Sequence, residues 1–288
     1  MIDFSHHRTP SESLQEYGRG LAGGLMFAMP LLFTMEVWWA GFILHPLRIA
    51  AYMAATFLIL LFYNRFVGLR KDASFSEVAI DSVEEMGIGI LVAALILWLG
   101  GRISADMTFF EIGGKVIMEA MTVAIGVSVG TAQLGASDDG DGGFAGEDGC
   151  SSKDYLPQAA VALCGAVLFA ANIAPTDEIT VVAMENSPER ILLLCLFSLI
   201  LGSLVLHFSE FRGASIHVAK DTIPLQIRGI VTTYAVALVA SAASLYFFGK
   251  FDDQTTYIMV AQTVVLGVPA VLGASAGRLL LQTASSSS

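Results

Sequence analysis

Two glutamates, Glu36 and Glu178, stand 142 positions apart in matching surroundings, each two residues after a threonine, in Thr34-Met35-Glu36 and Thr176-Asp177-Glu178. Both stretches are otherwise mostly apolar, and an ionisable group in such a setting is costly enough to mark an ion or proton path. The second stretch adds Asp177, with Asn172 and Pro175 just before it, and Pro30 holds the place equivalent to Asn172. A proline within a helix frees backbone carbonyls, and carbonyls with carboxylates are the ligands that hard cations want. Facing each other, the two acids would share a proton or hold a cation between them. The plainer alternative is that each lies near its helix end and reaches headgroups or water. Trp38 and Trp39, of a type that favours membrane interfaces, follow Glu36 closely and support that alternative.

A second group of acids is Asp81, Glu84 and Glu85, in AIDSVEEMGIGI. Asp81 lies three and four residues before the glutamates, so at least two of the three share a helix face. They suit an ion vestibule, or else an interfacial cluster paired with Arg228 and nearby lysines. Glu119 stands alone in the middle of an apolar run, with Ala120, Gly126, Ser128 and Gly130 after it. A lone acid of this kind suits a proton carrier; its plain competitor is a permanently protonated, hydrogen-bonded side chain.

Other signals are weaker. Asp138-Asp139-Gly140-Asp141-Gly142 lacks the distal ligand of a calcium loop and fits a linker. Cys150, Cys164 and Cys195 form no CxxC pair, so neither a disulfide framework nor a zinc site is expected. No nucleotide-binding, hydrolase or metalloprotease motif occurs in a convincing setting. The chain is therefore expected to be no enzyme and to need no cofactor, and the identity of any metal stays open.

These acids must be positioned by helices in lipid. Eight apolar stretches occur, at about 20–43, 46–64, 79–101, 112–134, 157–180, 188–208, 224–248 and 255–278. Each is near the ~20 residues that cross the hydrocarbon of a bilayer. Only 14% of the 288 residues are charged against 55% hydrophobic, with a mean hydropathy of +0.69, and the charges sit between the apolar runs. The expected class is an all-α, polytopic transmembrane bundle with the lipid bilayer as its solvent.

The eight stretches repeat. From Leu21 to Val37 against Leu163 to Ile179, six of seventeen residues are identical at a shift of 142; from Ile117 to Val127 against Ile258 to Val268, seven of eleven agree at a shift of 141. One nearly constant offset across four helices points to a duplicated four-helix unit. An even number of helices per unit makes the copies parallel, related by a pseudo-two-fold axis along the membrane normal. The expected division is a polar tail over 1–18, a first repeat over 19–134, an acidic Gly-rich linker over 135–156, a second repeat over 157–278 and a tail over 279–288. With ten Lys and Arg in the segments on the side of the N-terminus and five on the other, both termini are expected to be cytoplasmic.

The net charge of −11 argues against nucleic acid as a partner, although six acids of the segment from Asp138 to Asp154 supply much of it. A homo-oligomer is compatible with the pattern. The segment from Asn172 to Glu178, with Met35 to Trp39, resembles an uncharacterised family of bacterial integral membrane proteins over residues 18–280. That resemblance implies a bacterial inner membrane and no particular activity. From the acids themselves, the expected function is transport of a small cation or proton. The central site would be Glu36, Glu178 and Asp177, supported by Thr34, Thr176, Asn172, Pro175 and Pro30. Glu119 would be a proton site, and Asp81, Glu84 and Glu85 an approach. The alternative is a non-transporting sensor or binding module acting through the acidic linker.

Overall fold

The computed structural model describes residues 10–68, 74–133, 155–213 and 223–285, and these form ten α-helices with no strand. In chain order they are α1 (Pro10–Leu32), α2 (Met35–Ile43), α3 (Pro46–Phe66), α4 (Phe75–Leu99), α5 (Phe109–Gln133), α6 (Tyr155–Ile173), α7 (Glu178–Glu185), α8 (Pro188–Gly213), α9 (Ile223–Phe247) and α10 (Thr256–Ser285). Seven are long and apolar enough to cross a membrane, and α1 with α2 makes an eighth if that bent pair is one span. The expected acidic linker falls largely outside the described residues.

Two of the expected spans, 20–43 and 157–180, are not continuous. The first breaks at Phe33-Thr34, where α2 leaves α1 at 86°. Pro30 supplies a cause, since its ring crowds the preceding turn and its nitrogen donates no hydrogen bond. In the second, α6 ends at Ile173, just before Ala174-Pro175, because a residue that precedes proline is pushed out of the helical region. After the break, α7 runs for only eight residues.

The remaining boundaries follow local chemistry. His45 caps α3 by accepting from the Leu47 amide at 3.2 Å, with Pro46 at the first helical position. Ser74 and Glu77 form a capping box that starts α4. Thr108 and Glu111 do the same for α5, with the Thr108 amide donating to Glu111 at 2.8 Å and the Glu111 amide to Thr108 at 3.3 Å. Gly101 (φ 68°) and Gly249 (φ 74°) take left-handed conformations in the turns that follow α4 and α9.

The helix order long, short, long, long, long occurs twice, over α1–α5 and over α6–α10. Packing is matched as well: α5 gathers α1, α2, α3 and α4 around it, and α10 gathers α6, α7, α8 and α9. In both sets the long helices cross at glycines. Gly23 lies against Gly126 and Gly130, Gly165 against Gly273, and Gly41 of α2 against Gly114, each with no room for a Cβ atom. α3 and α5 pack on α6, and α3 also on α9, so these helices join the two sets. Of all the candidate spans α5 is the most enclosed, 78% buried against 17% for α8.

Candidate functional site

The Thr-x-Glu segments sit at the two helix breaks, where each residue has a local task. The Thr34 hydroxyl donates to the Pro30 carbonyl at 3.1 Å, and the Thr176 hydroxyl to the Ile173 carbonyl at 2.8 Å, closing the ends of α1 and α6. Glu36 and Glu178 then stand in the first turns of α2 and α7, where a carboxylate complements the helix dipole. Glu36 is half-buried and Glu178 exposed. α2 packs on α5 and α7 on α10, so different helices hold the two acids. Asp177 is paired with Lys250 at 2.7 Å, its side chain 81% exposed. Asn172 donates to the Leu168 carbonyl at 2.7 Å, while Pro175 is buried in the break.

The acids of α4 sit toward the end of the bundle that carries the N-terminus. The Tyr17 hydroxyl donates to Glu84. Glu85 is half-buried, and Asp81, also half-buried, lies one turn before it. Asn64 of α3 donates to Glu85 at 2.7 Å and to Ser82 at 3.1 Å, and accepts from Ser128 of α5 at 3.0 Å. Three helices thus meet at a buried amide with both ends engaged. Its donors reach Glu85 and Ser82, and its carbonyl oxygen accepts from Ser128.

Glu119 is 0% exposed, and neither of its oxygens has a hydrogen-bond partner among the described residues. Its place along α5 follows from its neighbours. Residues 123–130 of α5 run beside Gly20, Gly23 and Gly24 of α1, whereas Gly114 and Lys115 lie against Gly41 of α2. Glu119 falls between these contacts, level with the α1–α2 bend. One turn toward Ser128, buried Thr122 shares a 3.1 Å hydrogen bond with buried Tyr52 of α3. Thr56, one turn along α3 from Tyr52, is buried too.

Two buried hydrogen-bonded groups, Asn64 with Ser82, Glu85 and Ser128, and Tyr52 with Thr122, thus make an interrupted polar seam along the most enclosed helix. Buried Thr56 and Glu119 lie within one turn of the second group. From Ser128 to Glu119 the seam covers about 14 Å of α5 at the ordinary helical rise. Glu85 and Glu119 were legible as separate candidate acids, and Ser128 as one of the small residues after Glu119; Asn64, Thr56, Tyr52 and Thr122 were not singled out. The signal was present in Asn64, an amide at the end of an apolar run. No group of three His, Cys, Asp or Glu arranged to hold a metal occurs among the described residues.

At the end of the bundle with the short helices, ionic contacts tie the two sets together. Arg48 at the start of α3 grips Asp252, in the turn between α9 and α10, through two hydrogen bonds of 2.6 and 2.8 Å. Its guanidinium also lies 5.2 Å from the Tyr246 ring centroid. Hydrogen bonding from Arg48 holds the Asp252 carboxyl below its usual range.

Comparison with curated proteins gives no match, and comparison with solved structures gives none. One family model does match, over residues 16–281, and it carries the description "Putative integral membrane protein (DUF2391)". With 266 of 288 residues inside that match, and seven or eight helices able to span a bilayer, the chain belongs to this family of integral membrane proteins, whose function is unknown.

Proposed function

We propose that the protein moves protons or a small cation across a membrane, with Glu119 as the central site. One observation carries the reading: a fully buried carboxyl group without a partner stands on the most enclosed helix, in line with a seam of buried hydroxyls and amides. A structural acid buried this deeply would normally have its oxygens satisfied. An acid left unsatisfied is poised to take up and release a charged species. Asp81, Glu84 and Glu85 would form one mouth of the path. Glu36, with Asp177 and Glu178 at the same end of the bundle, would form the other, concentrating cations by their charge.

The matched helix order and glycine crossings support an internal duplication into two parallel four-helix units, with α2 and α7 as breaks in their first spans. On this reading both termini are cytoplasmic and the short helices lie at the outer face, in keeping with the distribution of Lys and Arg. The resemblance seen in the sequence favours a bacterial inner membrane.

Flux of protons and monovalent cations into liposomes containing the purified chain tests the proposal. Wild-type flux that disappears in Glu119→Gln, with folding retained, is the expected result. A wild-type protein silent toward every small cation would overturn it and favour a sensor or binding module.

A further inference from the structure

Lys115 lies one turn before Glu119 on the same face of α5, four residues away. It is 9% exposed, and its ammonium reaches the Arg102 carbonyl at 2.9 Å and the Met107 sulfur at 3.4 Å. An ammonium has three donors and a thioether is a weak acceptor, so this shell is incomplete. Helical side chains lean toward the helix N-terminus, which carries Glu119 over the turn that Lys115 occupies. Two buried groups of opposite character, the acid without a partner, are thus neighbours on one helix face.

Other ionisable groups around α5 are placed differently. α4 contributes Glu85, held by Asn64 near Ser128, nine residues further along α5 than Glu119. α3 contributes Tyr52, bonded to Thr122, and α6 contributes buried Cys164. α2 contributes half-buried Glu36 at its start. α1 has no ionisable side chain after Arg19, and α10 none between Tyr257 and Arg278. Arg102, Asp106 and Glu111 lie on the far side of Lys115, exposed or half-buried. Asp106, held low chiefly by its hydrogen bond with Ser104, also feels the Lys115 charge, and Glu111 stands one turn before Lys115. Lys115 is the cation best placed to answer a negative charge on Glu119.

We propose that Lys115 is the chain's own counter-cation for Glu119, exchanging between the α4–α5 turn and the carboxylate as Glu119 loses and regains its proton. When the carboxylic acid gives up its proton to the hydroxyl seam or to water, the ammonium leaves the Arg102 carbonyl and pairs with the carboxylate. Lysine keeps its own proton throughout, so only one proton is released. When Glu119 is protonated again, Lys115 returns to the turn. This inference rests on the reading of Glu119 as a transport site and names its substrate. A carboxylate already neutralised by a tethered ammonium has no charge left for a metal cation, so the carried species is the proton.

The exchange has an optical reporter. The guanidinium of Arg102, whose carbonyl Lys115 holds, lies 4.4 Å from the centroid of the buried Trp38 ring. Moving the turn changes the surroundings of that indole. In the full chain carrying Trp39→Phe and Trp98→Phe, Trp38 is the remaining tryptophan. Its emission is expected to follow a single titration in lipid nanodiscs, unchanged by sodium or potassium. Glu119→Gln should abolish the titration and keep the acid-form emission at every pH. Lys115→Met should abolish it in the opposite sense, with the turn released throughout. A titration that survives in Glu119→Gln, an absent titration in the parent, or a midpoint that moves tenfold in proton concentration with sodium would overturn the proposal. Should Lys115→Met fail to fold, Glu119→Gln and the sodium series still decide the matter. Absent flux with an intact Trp38 titration would remove transport and leave the counter-cation; flux with a silent Trp38 would do the reverse.

Discussion

The two sets of five helices share an order and a packing scheme, yet they are filled differently. Around α5 the interior holds acids, at Glu85 and Glu119, bound into or aligned with a run of hydroxyls and an amide. Around α10 the buried polar groups are neutral: Gln262, whose amide donates to Thr180 at 3.0 Å, with Tyr234, Ser241, Ser244 and Ser275. At the sequence offset of 141, Glu119 is matched by Val260. Shape and chemistry therefore differ in reach: glycine crossings occur in both sets, while among the described residues the buried acids belong to the first.

This contrast can be tested from the largest effect to the smallest. The shape should be equally fragile in both sets. Gly23→Leu and Gly165→Leu each drive a side chain into opposing backbone, and each should cost about 3 kcal/mol or more, seen as loss of folded protein in detergent. If only one of them unfolds the chain, the glycine crossings are not equivalent. The chemistry should be one-sided: Glu119→Gln is expected to lower proton flux at least about tenfold, a barrier change of about 1.4 kcal/mol. Gln262→Leu is expected to leave the flux within about twofold, and equal losses from both would erase the contrast.

Smaller effects come from the polar contacts. Asn64→Leu removes the amide that joins α3, α4 and α5 and takes one donor from Glu85, at a cost of about 1 kcal/mol in thermal unfolding. Thr176→Val removes one bond at a helix end and should cost about 1 kcal/mol or less. The smallest effect is that of acid on the Arg48–Asp252 pair. The Asp252 carboxyl is held below its usual range in the folded chain, so the pair is fully formed at neutral pH. It is lost only as pH falls through that lowered value, below the ordinary aspartate value of about 3.9. Amide exchange at residues 249–254 should stay slow at pH 5 and quicken only in stronger acid.

Much of the helical layout was legible in the sequence, because a bilayer demands long apolar runs and Pro46 and Pro188 mark helix starts, whereas the Ser74 cap begins α4 four residues before the expected span. The two breaks were less so. Pro30 and Pro175 were noticed, but a proline does not announce whether its helix kinks or stops; at Phe33-Thr34 the back-bonded hydroxyl of Thr34 completes the stop. The paired Thr-x-Glu segments stood out as a pair of acids, and the structure gives each residue a role in ending one helix and starting the next. Glu119 was visible as an isolated acid, but its lack of partners depends on what six other helices bring near it. The Asn64 network was beyond sequence reasoning, since its members are separated by 18, 21 and 64 positions. No local pattern requires them to meet.

The enclosure of α5 has a consequence for how the chain is made. A helix that carries Lys115 and Glu119 meets a penalty of roughly 2.5–3.5 kcal/mol for each charged residue near its centre when it enters lipid alone. Yet α5 has little surface that could face lipid in the finished bundle. Synthesis delivers α1 to α4 first, and these helices supply the groove into which α5 fits. The first set then hinges on its last member: α1, α2, α3 and α4 all pack on α5, so a chain cut short after α4 lacks the helix that these four share.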